Sequence, residues 1–371
     1  MEGEPINIVK AESVYLHTDD GRKIIDAVSS WWVSIHGHGN KKIAKAIYEQ
    51  ALELEHVIFA GFTHPPAQKL VENLKSILPD SISKFFFSDD GSTSVEVALK
   101  MSFQYWSNQG IKNKTKVIAI KGAYHGDTFG SMSVGDRSIF TEPFFPFLFD
   151  IELLDFPELG DELETIKQFE KLTNRNDIAS FIFEPLVQGA GGMRIYSAEL
   201  LDDLIRIAQS KGIICIADEV MTGFGRTGKL FATDHLENDP DIMCLSKGLT
   251  GGTMAMGITA CNYKIVQAFE SNELSKALLH GHSYTGNPIA CAAANASFDL
   301  LIDDACTNAR EMINKNHLKF KQKLVLSGMV DNVRILGTIL AFDIRVSEAT
   351  SYDNEIRKKI FPYFLKKNIL L

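Results

Sequence analysis

The sequence predicts an α/β protein: a mostly parallel sheet flanked by helices, plus a smaller α+β domain. Three observations predict it. Apolar runs of strand length alternate with helical patterns from residue 84 to 263, the rhythm that βαβ units require. Several of those runs end in an acid, a hydroxyl or a glycine turn, so one sheet edge collects the polar residues. Beyond the alternation, the chain continues as a charged helix, a strand pair and a last helix. The expected division is 1–30 as the N-terminal part of the small domain, 31–302 as the large domain, and 303–371 as the C-terminal part of the small domain.

Taken in order, residues 7–28 alternate in strand fashion around the turn Asp19-Asp20-Gly21, a hairpin signal. Ser29-Ser30-Trp31-Trp32 and the following His36-Gly37-His38-Gly39 fit neither strand nor helix. Two adjacent tryptophans cannot enter one core from one face of either element, so one lines a pocket or both are buried separately. The histidine pair has no carboxylate beside it and does not read as a metal site. Residues 41–56 and 65–78 have helical periodicity, and Pro65-Pro66 opens the second where proline is tolerated. Lys84 to Ser88 is a strand, and Val95, Ala98, Leu99, Ser102, Phe103 and Trp106 then recur at helical spacing. That helix begins near Gly91-Ser92-Thr93, whose free amides and hydroxyls make an anion site and an N-cap at once.

Strands follow at Lys116–Ile120 and at Ser180–Phe183, the first ending beside Gly122-Ala-Tyr124-His125-Gly126 and the second beside Glu184-Pro185. An aromatic at such an edge can stack on a flat ring. Between them lie a Phe- and Pro-rich loop at 140–150 and a polar helix over about 158–174. A helix of small residues covers Ala290 to Ala296. The segment 303–327 reads as an amphipathic helix, Val333–Phe342 as a strand pair or one bent strand, and Asn354–Lys367 as the last helix.

Two strand ends matter most. Ile242 to Leu245 is a short apolar run that delivers Ser246 and Lys247 at its carboxyl edge, followed by glycines. A lysine there is either a surface residue or one held for use, and a Schiff base with an aldehyde cofactor is such a use. Upstream, Ile213 to Ala217 ends in Asp218 and Glu219. Ligands of open α/β sheets bind at the carboxyl ends of strands, so Asp218 and Lys247 are expected to face one crevice. Pyridoxal phosphate needs such a pair: an amine for its aldehyde and a carboxylate for its ring nitrogen. Gly223 to Gly228 also spells G-x-G-x-x-G, but the acids precede it and Arg226 sits inside it. A dinucleotide fingerprint has the reverse order.

The chain has 371 residues, 45% of them hydrophobic, and a formal net charge of −9. That suffices for a large core and argues against nucleic acid or an anionic membrane as partner. Cys215, Cys244, Cys261, Cys291 and Cys306 lack C-x-x-C spacing and read as reduced cysteines of a cytoplasmic protein. The start, Met1-Glu2-Gly3-Glu4-Pro5, has no apolar signal region, and no apolar run reaches bilayer length.

Gly91-Ser92-Thr93, Tyr124-His125-Gly126, Glu184-Pro185, Asp218 to Gly228, Ser246-Lys247-Gly248 and His282-Ser283-Tyr284-Thr285-Gly286-Asn287-Pro288, in that order, resemble the class III (omega) aminotransferases. The likeness runs from about residue 6 to the last residue. It implies a fold type I pyridoxal-phosphate transferase. Ser29 to Trp32 with Ile35-His36-Gly37, Tyr124 to Gly130, and Val187 to Gly192 look like one branch of that family. That branch serves biotin biosynthesis: it aminates 8-amino-7-oxononanoate to 7,8-diaminononanoate, usually from S-adenosylmethionine and in some members from lysine. Other omega-aminotransferases, acting on ornithine or 4-aminobutyrate, usually lack the Trp31-Trp32 pair.

The resemblance implies roles for single residues. Lys247 carries the cofactor and shuttles the proton, and Asp218 pairs with the pyridinium. Tyr124 stacks on one ring face and Val220 on the other, while Gly91 and Ser92 hold the phosphate. Ser283 completes the phosphate cup from a second subunit, so the site needs a homodimer. Trp31 and Gly281 line the substrate pocket with Tyr124 and Lys247. Arg226 sits near the substrate's polar end, and Glu184 stands behind the reacting groups. There are departures as well. Asp90 stands where a small residue is usual and would repel a phosphate unless it turned away or bonded a backbone N–H. Ser283 replaces a threonine. A His-Pro-Tyr segment normally precedes residue 1, and an Arg-Pro-Leu/Phe-Gly stretch with final strands normally follows Leu371. On that reading these 371 residues are expected to bind the keto acid poorly and to aggregate, or to be a silent homologue.

Overall fold

The computed structural model describes residues 4–138, 141–158, 160–345 and 355–371. The acidic start Met1–Gly3, Phe140 of the aromatic loop and Asn354 lie outside them. The chain opens with β1 (Ile8–Glu12), β2 (Tyr15–Thr18) and β3 (Lys23–Asp26), an antiparallel meander. One left-handed turn, α1 (Ser29–Trp32), follows. Helices α2 (Lys41–Glu53) and α3 (Pro65–Lys75) start on Asn40 and His64, whose side chains accept the free amides of Lys42 and Ala67.

The chain then runs β4 (Ile82–Ser88), α4 (Gly91–Asn108), β5 (Lys116–Ile120), α5 (Phe129–Val134), β6 (Glu152–Leu154), α6 (Glu162–Thr173) and β7 (Ile178–Phe183). A small hairpin of β8 (Val187–Gln188) and β9 (Arg194–Ile195) leads to α7 (Ala198–Ser210). Next come β10 (Ile214–Asp218), β11 (Ile242–Leu245), β12 (Gly257–Asn262), α8 (Tyr263–Gln267) and α9 (Pro288–Leu301). Seven strands form one sheet in the order β4-β12-β11-β10-β7-β5-β6. Six run parallel, and only β12 is reversed, because it pairs antiparallel with both of its neighbours.

Every residue of β7, β10 and β11 is buried. Strands covered on both faces carry continuous apolar runs, which is how they read in the sequence. Val95, Ala98 and Leu99 of α4 cover one face. Leu200, Leu201, Leu204 and Ile205 of α7 cover the other. Each such side chain contributes about 1.5–3 kcal/mol when removed from water. This ladder holds the strand ends rigid.

The chain finishes with α10 (Asp304–Ser327), the hairpin β13 (Val330–Leu336) and β14 (Ile339–Ile344), α11 (Glu355–Lys366) and β15 (Ile369–Leu370). The segment 333–342 is thus a strand pair, turning at Gly337. β15 pairs in parallel with β3, so the two ends of the chain share one four-stranded sheet. Among the described residues no helix is long and apolar enough to cross a membrane.

Candidate active site

Five parallel strands, β4, β5, β7, β10 and β11, point their carboxyl ends at one cavity of about 420 Å³. Its lining includes Gly91, Ser92, Tyr124, His125, Glu184, Asp218, Val220 and Lys247. Register explains the meeting of the last groups. Asp218 pairs with Cys244 on the adjacent strand, so Lys247 follows its neighbour's strand end by only three residues. His125 and Asp218, 93 positions apart in sequence, become neighbours because parallel strands end together.

Asp218 is buried and anchored on both oxygens. The Val220 amide donates to Oδ1 at 3.1 Å, and His125 Nδ1 lies 2.7 Å from Oδ2. A carboxylate only accepts, so His125 carries its proton on Nδ1. Among the described residues its buried Nε2 has no partner. Glu184 accepts from the amides of Tyr124 and Gly189, at 3.0 and 2.8 Å. Burial nevertheless pushes its carboxyl up to about 7. Burial likewise lowers the Lys247 ammonium below the ordinary lysine range, against the attraction of Asp218 and Glu184 and with the help of Arg226. A shift in that direction favours the neutral amine that nucleophilic and proton-transfer work requires.

The amino end of α4 opens on the same cavity. Asp90 turns its carboxylate onto the Thr93 amide at 2.8 Å, and Thr93 Oγ1 accepts from the Asp90 amide. The departure from the usual small residue is thereby absorbed as a capping box. Among the described residues no acceptor takes the amides of Gly91 and Ser92. A Cβ on Gly91 would come within 2.7 Å of the Val220 side chain, so this close approach requires glycine.

Opposite the strand ends stands the turn α1. Ser29, Ser30, Trp31 and Trp32 have φ of 50°, 48°, 61° and 66°. Left-handed backbone costs about 1–2 kcal/mol per non-glycine residue. Successive side chains in such a turn diverge by roughly 100°, so the two tryptophans part. Trp32 and Val33 line the cavity, and the Lys247 Nζ lies 5.1 Å from the Trp32 ring centroid. Trp31 is 75% exposed. Within this single chain the tryptophan on the cavity wall is Trp32, and Trp31 faces outward.

Three other expected residues do not line the cavity within this chain. Arg226 is half-buried, donates to the Trp32 carbonyl at 2.7 Å, and is pushed down to about 10 by desolvation. Gly281 and Ser283 lie on the segment before α9, outside the lining. The histidines of the 36–38 stretch go separate ways: His36 bonds Ser297 Oγ at 3.1 Å and His38 bonds Asp26 at 2.8 Å. His125, Trp32, Met221, Ser246 and the run 253–256 join the lining without having been singled out. His125 had a signal in its place beside Tyr124, but nothing local shows that it faces Asp218.

Comparison with known proteins agrees with this geometry. The family model described as aminotransferase class III matches residues 2–370. An adenosylmethionine-8-amino-7-oxononanoate aminotransferase of Synechococcus elongatus is 44% identical, over 99% of this chain and 88% of the relative. One from Helicobacter pylori is 35% identical, over 99% and 85%. The crystal structure of the enzyme so named from Methanocaldococcus jannaschii aligns with a TM-score of 0.93 at 34% identity, over 100% of this chain and 86% of that one. An amine transaminase from an uncultivated Pseudomonas species, solved in a PLP-bound form, aligns at 0.87 and 33% identity, over 93% and 81%. Strands, cavity and match over nearly the whole length lead to one assignment: the chain belongs to the class III aminotransferase family.

Proposed function

We propose that this chain is a pyridoxal-phosphate-dependent aminotransferase of biotin biosynthesis, which passes an amino group from S-adenosylmethionine to 8-amino-7-oxononanoate. The observation that carries the reading is the convergence of Lys247, Asp218 and the open amino end of α4 on one cavity. The residues fit the cofactor. Gly91 and Ser92 offer unclaimed amides to a phosphate at a helix terminus. Asp218, held by His125 and Val220, offers a carboxylate to a ring nitrogen. Tyr124 and Val220 supply faces for a flat ring. When bound, pyridoxal phosphate supplies an aldehyde that takes up amines and a ring that withdraws electrons from the adjoining carbon.

The chain's own groups do the rest. Lys247 Nζ, whose ammonium is disfavoured by burial, would hold the aldehyde and would move the proton at the amine-bearing carbon of the substrate. Asp218 would stabilise a proton on the ring nitrogen, and His125 keeps Asp218 aimed. The Tyr124 hydroxyl donates to Asp127 at 2.8 Å, and burial pushes its ionisation up, so it remains a neutral ring and donor. Trp32 and Val33 wall the substrate side and exclude water there. A second copy of the chain is expected to bring Ser283 and Gly281 to the site. Exposed Tyr48, Leu52, Ile58, Phe62, Leu279 and Tyr284 support such a dimer, being apolar surface in need of cover.

Borohydride reduction of the protein with pyridoxal phosphate, followed by peptide mapping, tests the chemistry. The label is expected on Lys247, and a label elsewhere refutes the assignment. Turnover of 8-amino-7-oxononanoate with S-adenosylmethionine, and with lysine as the competing donor, tests the substrates. The likeness to an amine transaminase favours a second reading, in which ornithine, 4-aminobutyrate or another omega-amine is used. Turnover of such amines with none of the oxononanoate would establish it.

A further inference from the structure

We propose that Asp26, braced by His38, is a positioning residue of this site: it holds the left-handed turn Ser29–Trp32 in the conformation that sets the Trp32 indole against Lys247. The inference rests on the reading of Lys247 given above. Four successive residues without a glycine, asparagine or aspartate occupy a backbone region that such side chains avoid. Left to itself the segment Ser-Ser-Trp-Trp would relax, so the surrounding structure must hold it.

The holding groups are few and specific. Asp26 ends β3 and is buried. Its Oδ1 accepts from the Ser30 amide at 3.0 Å, and its Oδ2 accepts from the Ser30 hydroxyl and from His38 Nε2, both at 2.8 Å. Burial pushes its carboxyl up, but these donors outweigh burial and hold it below the usual aspartate range. His38 is fixed in turn by a reciprocal backbone pair with Ser13, at 2.9 and 2.7 Å. At the far end of the turn Arg226 donates to the Trp32 carbonyl. Neither Asp26 nor His38 lines the cavity, so their influence runs through the turn. If the turn relaxes, Trp32 leaves Lys247 and the wall opened by Val33 moves with it.

A double-mutant cycle on the full-length holoenzyme tests this. Asp26→Ala alone is expected to lower kcat/KM for the amino donor about 3- to 30-fold, no more than loss of the Trp32 indole itself. In a Trp32→Ala background the same change is expected to cost no more than about twofold, because its effect is already gone. Asp26→Asn, which keeps one acceptor for Ser30, is expected to recover part of the loss. Amide exchange on the cofactor-free protein gives the independent readout. The Ser30, Val33 and Ser34 amides should exchange at least about tenfold faster in Asp26→Ala, with β10 and β11 unchanged. If Asp26→Ala does not fold, Asp26→Asn and His38→Gln carry the same cycle and the same exchange measurement. Equal losses in both backgrounds, or unchanged exchange over 29–34, would overturn the proposal. A wild-type protein without transaminase activity would instead refute the enzymatic reading and leave the exchange result to decide this one.

Discussion

The two walls of the cavity are built by opposite means. The wall of strand ends is regular: parallel ladders bring Asp218, Glu184 and the Lys247 segment together, and each of these groups ends or closely follows a buried strand. The facing wall is one left-handed turn, held by Asp26, His38 and Arg226. Reactive atoms thus sit on rigid scaffold, while the residue that shapes the space over Lys247 sits on stored strain. A difference of this kind predicts different responses to mutation: loss of chemistry with an intact fold on one side, loss of placement on the other.

The largest effect belongs to the regular wall. Lys247→Ala is expected to lower kcat by at least about 10³-fold, within the range of a lost general acid–base group, with an unchanged melting curve. Retention of most activity would break the comparison at its centre. Asp218→Asn comes next, with a loss on the order of 10²-fold in kcat and weaker cofactor binding, read by absorbance titration. His125 should lose its aimed partner in the same variant.

Glu184 tests the rigid wall through stability. Burial holds its carboxyl near 7, so between the ordinary glutamate range and pH 7 the folded chain keeps a proton that the unfolded chain releases. The favourable contribution is complete at low pH and is lost as pH rises through about 7, by up to about 3 kcal/mol at pH 8. Glu184→Gln is therefore expected to flatten the fall in melting temperature between pH 5 and 8. Some slope should remain, because Glu219 is also buried and pushed up to about 7. An unchanged slope would show that Glu184 is not the titrating group.

Gly252 joins the two walls. It has a φ of 83°, and a Cβ there would lie 2.8 Å from the Val33 carbonyl oxygen. Gly252→Ala should destabilise the protein by about 1–3 kcal/mol through backbone strain and this clash, visible in thermal melts. The smallest effect separates the tryptophans. Trp32→Ala removes a contact worth about 0.5–2 kcal/mol over the Lys247 amine, so kcat/KM should fall roughly 3- to 30-fold. Trp31→Ala should change it less. A larger effect at Trp31 would mean that a second subunit gives that side chain a role absent within one chain.

Much of the regular wall is legible in the sequence for a physical reason. A strand buried on both faces must be an unbroken apolar run, so its end is marked by the first polar residue, as at Asp218, Glu184 and Ser246. A helix that starts beside a strand end is marked by its cap and its apolar period, as at Gly91. These signals are local, and chain order along a parallel sheet turns them into one shared edge. The family resemblance, read from the same motifs, adds the chemistry they serve.

What the tertiary structure alone decided is everything that depends on partners distant in sequence. The reversed β12 gives no signal of direction, because a buried run looks the same either way. His125 finds Asp218 across 93 positions, and Arg226 finds the Trp32 carbonyl across 194. Which tryptophan meets Lys247 is set by the sign of φ through Ser29–Trp32, a conformation these residues do not favour by themselves. That sign is fixed by a carboxylate on β3, a histidine and a half-buried arginine, and no window of sequence contains all three. Local preference specifies a conformation where it agrees with the fold; where the fold overrides it, only the assembled contacts carry the information.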